Sequence, residues 1–309
     1  MTVSNDNRTA TGIPRRCLLT GGTGYVGSRI RQQLQSQGWQ VTELSRKPAT
    51  AAGAIRHHLG DAIAPEKLSG HVALVHCAYD FRPVSWKEIS AINVRGSELL
   101  LRAARQAGVR QLVFISSISA YEGCRSLYGQ AKLEIERVTQ SLGGWSLRPG
   151  LIFGAAAGGM FGRLVEQVRQ SKFIALPGRG RQRQYLVHET DLCSAVSRCV
   201  RPDLEPLQEP VTLAQERAWT LRELLLEIAR GLERRIVFVP VPWQLVWAGL
   251  RLGEKLRLPL KFRSDSLVSL VHQNPKPGFN SLEALGVNCR PFEFRGLSVV
   301  NTPTKAKDS

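Results

Sequence analysis

The sequence predicts an α/β protein built on a doubly wound parallel sheet, with a smaller and less regular C-terminal lobe. Three observations carry this. Short apolar runs alternate with amphipathic helical stripes through the first half of the chain. The run at 72–78 is apolar almost without a break, as a parallel strand covered on both faces requires. The first run, Cys17-Leu18-Leu19-Thr20, breaks into glycines and resumes as a helix at 28–37, the order strand, tight turn, helix.

Taken in order, that first turn holds Gly21, Gly24 and Gly27. Such glycines let the backbone turn sharply, admit a pyrophosphate against bare N–H groups and bring the helix close to its strand. A turn after a buried strand uses the same residues, so the glycines alone leave a purely structural role open. The second strand, 40–44, ends in Ser45-Arg46-Lys47-Pro48, where an adenosine ribose would lie. An acidic residue there accepts a ribose 2′-hydroxyl, whereas Ser45 and Arg46 favour a 2′-phosphate, with Arg29 and Arg31 adding positive charge. NADP is expected over NAD, which stays open, and a solvated basic loop is the plain alternative.

A third strand at 55–59 leads to Asp61, either a contact to the adenine edge or an exposed turn residue. His76, in the fourth strand, reads as a satisfied core histidine. No second ligand stands at metal spacing from it, so no metal is expected. A helix over 86–107 contains Asn93 and stops at Gly108. The fifth strand, 111–115, releases into Ser116-Ser117. Ligands in such sheets bind beyond the carboxyl ends of the strands, and Gly21, Arg46, Ala78 and Ser117 all occupy such ends. The next helix opens at Leu127 and carries Tyr128 and Lys132 on one face.

As an ordered series, Thr20-Gly21-Gly22-Thr23-Gly24-Tyr25-Val26-Gly27, Asp61, Val75-His76-Cys77-Ala78, Asn93-Val94-Arg95-Gly96, Ile115-Ser116-Ser117, Tyr128-Gly129-Gln130-Ala131-Lys132 and the segment 147–154 resemble the extended short-chain dehydrogenase/reductases. That group includes NAD(P)-dependent sugar epimerases and dehydratases. The segment 185–192 resembles the place where its chain crosses back over the substrate cleft. The resemblance implies a Rossmann-like NAD(P)-binding core over 16–155, and over 156–302 a mainly substrate-binding lobe with segments returning to the core. It implies that Tyr128 is the acid/base, that Ser117 polarises the reacting carbonyl and that Lys132 donates to the nicotinamide ribose. The implied cofactor contacts are Gly21, Thr23, Gly24, Tyr25, Val26 and Gly27 at the turn, Ser45, Arg46 and Asp61 at the adenosine, and Cys77, Ala78, Asn93, Lys132 and Pro149 beyond it. A free phenol titrates near pH 10, and an ammonium about 5–6 Å away at an effective dielectric of about 20 would lower it by roughly 2 units.

Departures from the pattern narrow the reaction. Ile118 and Ser119 stand where the dehydratases carry an Asp-Glu pair, so the acid and base for elimination are missing. The short stretch between Tyr121 and Tyr128 predicts a more open cleft on that side. Ser45-Arg46 departs from the epimerases that retain NAD, and a dissociating NADPH suits a net reductase. Three functions follow: an NADP-dependent oxidoreductase interconverting a carbonyl and a secondary alcohol on a nucleotide-linked sugar, an epimerase working through a transient keto intermediate, or a non-catalytic nucleotide-binding regulator or assembly factor. The joint presence of Tyr128 and Lys132 favours the enzymes.

The second half gives helices near 160–170, 190–200 and 220–231. Between the first two, Arg179, Arg181 and Arg183 either hold a substrate diphosphate or form a solvated loop. The segment 236–250 carries no charge and then meets Arg251, Lys255, Arg257, Lys261 and Arg263. It is too short to span a bilayer and reads as a strand plus a helix covering the lobe, with an interfacial helix resting on anionic lipid as the alternative.

The chain has 309 residues, 43% of them hydrophobic, enough to bury a full core. A formal charge of +17 points to an anionic partner. Without basic runs or interleaved aromatics, nucleic acid ranks behind a phosphorylated or nucleotide-linked small molecule, with a membrane surface as the alternative. A homodimer is left open. The six cysteines show no C-x-x-C spacing and read as reduced and structural, which predicts a cytoplasmic protein. Residues 1–15 and 303–309 read as disordered tails.

Overall fold

The structure, a computed structural model, describes residues 15–46, 54–155, 158–258, 260 and 262–294. Except for Arg15, both expected tails lie outside these residues, as do Lys47, Pro48 and Lys261. The first half runs β1 (Arg16–Thr20), α1 (Tyr25–Ser36), β2 (Gln40–Ser45), β3 (Ile55–Arg56), β4 (Ala73–His76), α2 (Trp86–Ile89), α3 (Arg95–Gln106), β5 (Gln111–Ile115), α4 (Leu127–Ser141) and β6 (Trp145–Pro149). The second half runs β7 (Leu151–Phe153), α5 (Gly159–Gln170), β8 (Phe173–Pro177), β9 (Arg183–Gln184), β10 (Leu186–His188), α6 (Glu189–Cys199), β11 (Val211–Leu213), β12 (Trp219–Thr220), α7 (Leu221–Gly231), β13 (Val237–Val241), α8 (Trp243–Lys255), α9 (Ser264–Val271) and α10 (Asn280–Leu285).

Seven strands form one parallel sheet in the order β11-β6-β5-β4-β1-β2-β3. Its central strands are apolar because both faces are covered. Cys17, Leu19, Val75 and Val113 face α1 and α6 through Ile30, Leu34, Leu192 and Val196. Leu18, Leu74, Leu112 and Phe114 face α3 and α4 through Leu100, Leu101 and Ile135. β1 has β2 on one side and β4 on the other, so successive crossovers leave in opposite directions and a crevice opens where they part. β11 returns from the second half to pair with β6, and α6 packs on α1.

β3 is shorter than the sequence predicts. It is an edge strand, and after His57 donates its backbone N–H to Ser45 the chain turns through Gly60 at φ +107°. Gly96 of α3 lies directly beneath that turn, where a Cβ would approach the Gly60 nitrogen to 2.4 Å. The helix predicted over 86–107 is continuous but carries a π-helical turn at Ser90–Val94, which rotates Asn93 inward.

In the C-terminal lobe, α5, α7 and α9 pack around Phe161, Leu224, Ile228, Leu267, Phe292 and Phe294. Small sheets pair β7 with β10, β9 with β12 and β8 with β13. The strand and helix expected from 236–250 are present as β13 and α8. All six cysteines are free thiols.

Candidate active site

The glycine turn forms the floor of a cleft of about 520 Å³ at the crevice between β1 and β4. Gly21 adopts φ +71°, and a Cβ there would meet the Ala78 nitrogen at 3.0 Å, so only glycine lets β1 and β4 approach so closely. A Cβ on Gly27 would lie 2.2 Å from the Gly21 carbonyl oxygen, which forces α1 tight against the turn. A Cβ on Gly24 would touch little except the Gly21 oxygen at 3.3 Å. No side chain caps α1, so its first N–H groups are available for an anion. The donor-rich, side-chain-free floor fits a dinucleotide pyrophosphate.

Thr23, Tyr25, Val26, Ser45, Arg46, Cys77, Ala78, Lys132 and Pro149 line the same cleft with the three glycines. Two expected contacts do not. Asp61 sits in an exposed turn past the lining residues His57, His58 and Leu59. Asn93 is fully buried and acts on the backbone of Asp80, accepting its N–H at 2.7 Å and donating to its carbonyl at 3.0 Å. It holds the loop after β4 rather than the cleft. Arg29 and Arg31 are paired with Glu189 and Glu43, so their charge is matched within the protein.

His76 is a core histidine. Thr20 Oγ1 accepts the backbone N–H groups of Cys77 and Ala78, which leaves its own proton for His76 Nδ1 at 2.7 Å. Nε2 therefore carries the ring proton and donates to Ser97 Oγ at 2.7 Å. Burial pushes this imidazole down to about 3, so it is neutral.

Ser117, Tyr128 and Lys132 converge at the open end of the cleft. The Lys132 ammonium lies 5.7 Å from the Tyr128 ring centre and 4.6 Å from that of Phe114, and donates to the Ile115 carbonyl at 2.7 Å. Burial lowers it to about 8, opposed by nearby Cys77 and Glu136. The sequence argument has this ammonium lowering the Tyr128 phenol. The phenol instead rises to about 12, because burial outweighs the hydrogen bond with Ser117. The α4 N-terminus that carries Tyr128 is fixed twice: Ser126 Oγ accepts from the Gly129 N–H, and Asp265 of α9 accepts from Leu127 and Tyr128 at 2.8 and 2.9 Å.

Sequence reasoning missed the aromatic wall around Tyr128. Tyr79 meets its ring edge-on at 5.0 Å and Phe81 stacks on it at 5.8 Å. Their signal was the aromatic pair directly after the β4 strand end. Arg82 joins Arg46 on the cleft rim and holds the Asp80 carboxylate below the usual range, with Arg46 assisting.

A second cavity of about 490 Å³ adjoins Tyr128 and Ser117. Its walls include Phe81, Val84, Ile89, Leu127, Val268 and Leu270, with Ile118 and Ser119 also exposed to it. Arg179, Arg181 and Arg183 are absent from its lining; Arg183 instead opens the short β9 ribbon against β12. Of the arginines present, Arg251 and Arg263 pair with Glu254. The side expected to be open is partly closed by α9, since Tyr121 donates to the His272 carbonyl at 2.9 Å. No group of His, Cys, Asp and Glu among the described residues is arranged to hold a metal.

Residues 17–207 match the NAD dependent epimerase/dehydratase family. The chain belongs to this family, within the extended short-chain dehydrogenase/reductases. NAD(P) is accordingly the cofactor class of this epimerase/dehydratase-family protein. It is 26% identical over 200 residues to a 3 beta-hydroxysteroid dehydrogenase/Delta 5→4-isomerase of Mycobacterium tuberculosis, covering 53% of this chain and 54% of that one. That alignment spans about half of the relative's length. It is 25% identical over 265 residues to the UDP-glucose 4-epimerase of Vibrio cholerae, covering 74% and 80% of the two chains. Its fold is similar to that of MoeE5, solved in complex with UDP-glucuronic acid and NAD, with TM-score 0.72, 20% identity and coverage of 92% and 97%.

Proposed function

We propose that this family member is an NADP-dependent oxidoreductase that interconverts a carbonyl and a secondary alcohol. The convergence of Ser117, Tyr128 and Lys132 where the dinucleotide cleft meets the apolar cavity carries this reading. NADPH, when bound, supplies the hydride. The protein's part is to hold the carbonyl against Tyr128 and Ser117, exclude water with Tyr79 and Phe81, and deliver one proton. Ser117 donates to the oxygen on which negative charge develops. Tyr128 transfers its phenolic proton to that oxygen as hydride reaches the carbon. A phenol raised to about 12 is fully protonated at neutral pH, which suits the direction of reduction. Lys132 donates to the nicotinamide ribose and stabilises the phenolate left behind.

Arg46 on the rim, with Arg82 beside it, supports NADP. Glu43, the acidic residue nearest the end of β2, is held by Arg31 and does not line the cleft, and Asp80, the carboxylate that does line it, is held by Arg82.

For the substrate, the UDP-glucose 4-epimerase and MoeE5 among the relatives support a nucleotide-linked sugar, with epimerisation through a keto intermediate as the neighbouring reaction, whereas the hydroxysteroid dehydrogenase supports an apolar ketone. One observation favours a second reading, an apolar ketone: the cavity walls are largely apolar, and of its three arginines Arg251 and Arg263 are already paired, leaving Arg125. The test is NADPH oxidation by the purified protein against a carbonyl panel containing keto-sugar nucleotides and hydrophobic ketones, with UDP-glucose epimerisation assayed in parallel. Consumption of NADPH with either carbonyl class supports a reductase. Epimerisation without net NADPH consumption overturns it.

A further inference from the structure

Helix α8 packs on the lobe through only one side. Val246 and Leu250 join the lobe core and Gly253 is buried. On the opposite side Leu245, Leu252 and Leu256 are 67, 59 and 63% exposed. At 100° per residue these three fall on one outward line, and Leu258 continues the exposed apolar surface just past the helix. A lobe-covering helix needs no such stripe, because a polar outer face is the rule for surface helices. One flank of the line carries Lys255, and Arg257 follows in the turn. Among the described residues Lys255 and Arg257 make no ion pair. The helix has 13 residues, too few to cross a bilayer, and no helix among the described residues is long and apolar enough to do so.

We propose that the outer face of α8 docks onto an anionic lipid surface, its leucines entering the headgroup boundary and its cations meeting lipid phosphates. An apolar line with cations along its flank is the composition of an interfacial helix. Charge decides against a second copy of this chain as the occupant: a contact through α8 would bring Lys255 and Arg257 of both copies to one interface between two chains of formal charge +17. An anionic bilayer is instead attracted by both features at once.

The test is flotation of the full chain with phosphatidylcholine vesicles prepared with and without phosphatidylglycerol, at low and high salt. Binding is expected only to the vesicles containing phosphatidylglycerol, weakening as salt rises. The triple variant Leu245→Glu, Leu252→Glu, Leu256→Glu should lose about tenfold or more of that binding. Lys255→Glu with Arg257→Glu should weaken it and reduce its salt dependence. These side chains point outward, so unchanged circular dichroism and NADPH affinity would show that both variants remain folded. Failure of the wild type to float with anionic vesicles, equal flotation of the triple variant, or self-association through this face without vesicle binding would each overturn the proposal. Docking and turnover are independent measurements, so either can fail alone.

Discussion

At the scale of single residues, the site depends on a few side chains whose environments differ sharply. Tyr128 and Lys132 share one buried corner, and the same burial raises the phenol and lowers the ammonium, so the pair is set for donating a proton. Arg46 is different in kind, an exposed residue on the cleft rim, and under the proposed NADP reading its role is a charge-assisted contact to the extra phosphate. Such contacts contribute about 1.5–3 kcal/mol, so Arg46→Asp should weaken NADPH binding by about tenfold to a hundredfold while leaving NADH affinity the same or better. Fluorescence titration of both nucleotides checks this, and unchanged NADPH affinity would refute the role given to Arg46.

Among secondary elements, two sets of polar contacts tie the machinery together. His76 joins β1, β4 and α3 through Thr20 and Ser97, and it must stay neutral to do so. Its folded pKa is lowered to about 3 from an ordinary 6.5, so between those values the unfolded chain binds a proton that the folded chain does not. Stability supplied by neutral His76 is therefore complete above pH 6.5 and is lost as pH falls below it, with a slope approaching about 1.4 kcal/mol per pH unit. Urea unfolding from pH 7 down to pH 4 should show this fall, and His76→Asn should reduce it, leaving the smaller part due to His57, His71, His188 and His272, which burial also lowers. Asp265 is the second tie, reaching from α9 to the start of α4. Asp265→Ala leaves the buried N–H groups of Leu127 and Tyr128 without partners and should cost about 1–3 kcal/mol of unfolding free energy. Denaturant unfolding measures it, and no loss would mean that Ser126 alone suffices.

For the whole molecule, much of the first half was legible because its signals are local. A strand covered on both faces must be apolar throughout, and a turn that brings β1 against β4 must use glycine, so 72–78 and Gly21 could be read directly. Ser117, Tyr128 and Lys132 were legible as a spaced set attached to that sheet. The misreadings share a cause: they turn on partners remote in sequence. Nothing near Asn93 says that a π turn aims it at Asp80. Nothing near Arg29 or Arg31 names Glu189 or Glu43. For the loop 178–184 the sequence leaves a phosphate grip and a solvated loop both open, and the pairing of β9 with β12 that positions Arg183 is not legible in it. Tyr128's upward shift reflects burial, which spacing along α4 cannot reveal. The separate lobe has the weakest pattern for the same reason.

The central claim is that Tyr128 supplies the proton in an NADPH-dependent carbonyl reduction. Its most direct test is the turnover of Tyr128→Phe with a carbonyl that the wild type reduces, measured beside NADPH affinity. The account predicts a fall of about a hundredfold or more in kcat with NADPH binding unchanged. Turnover at the wild-type rate in that variant would contradict it.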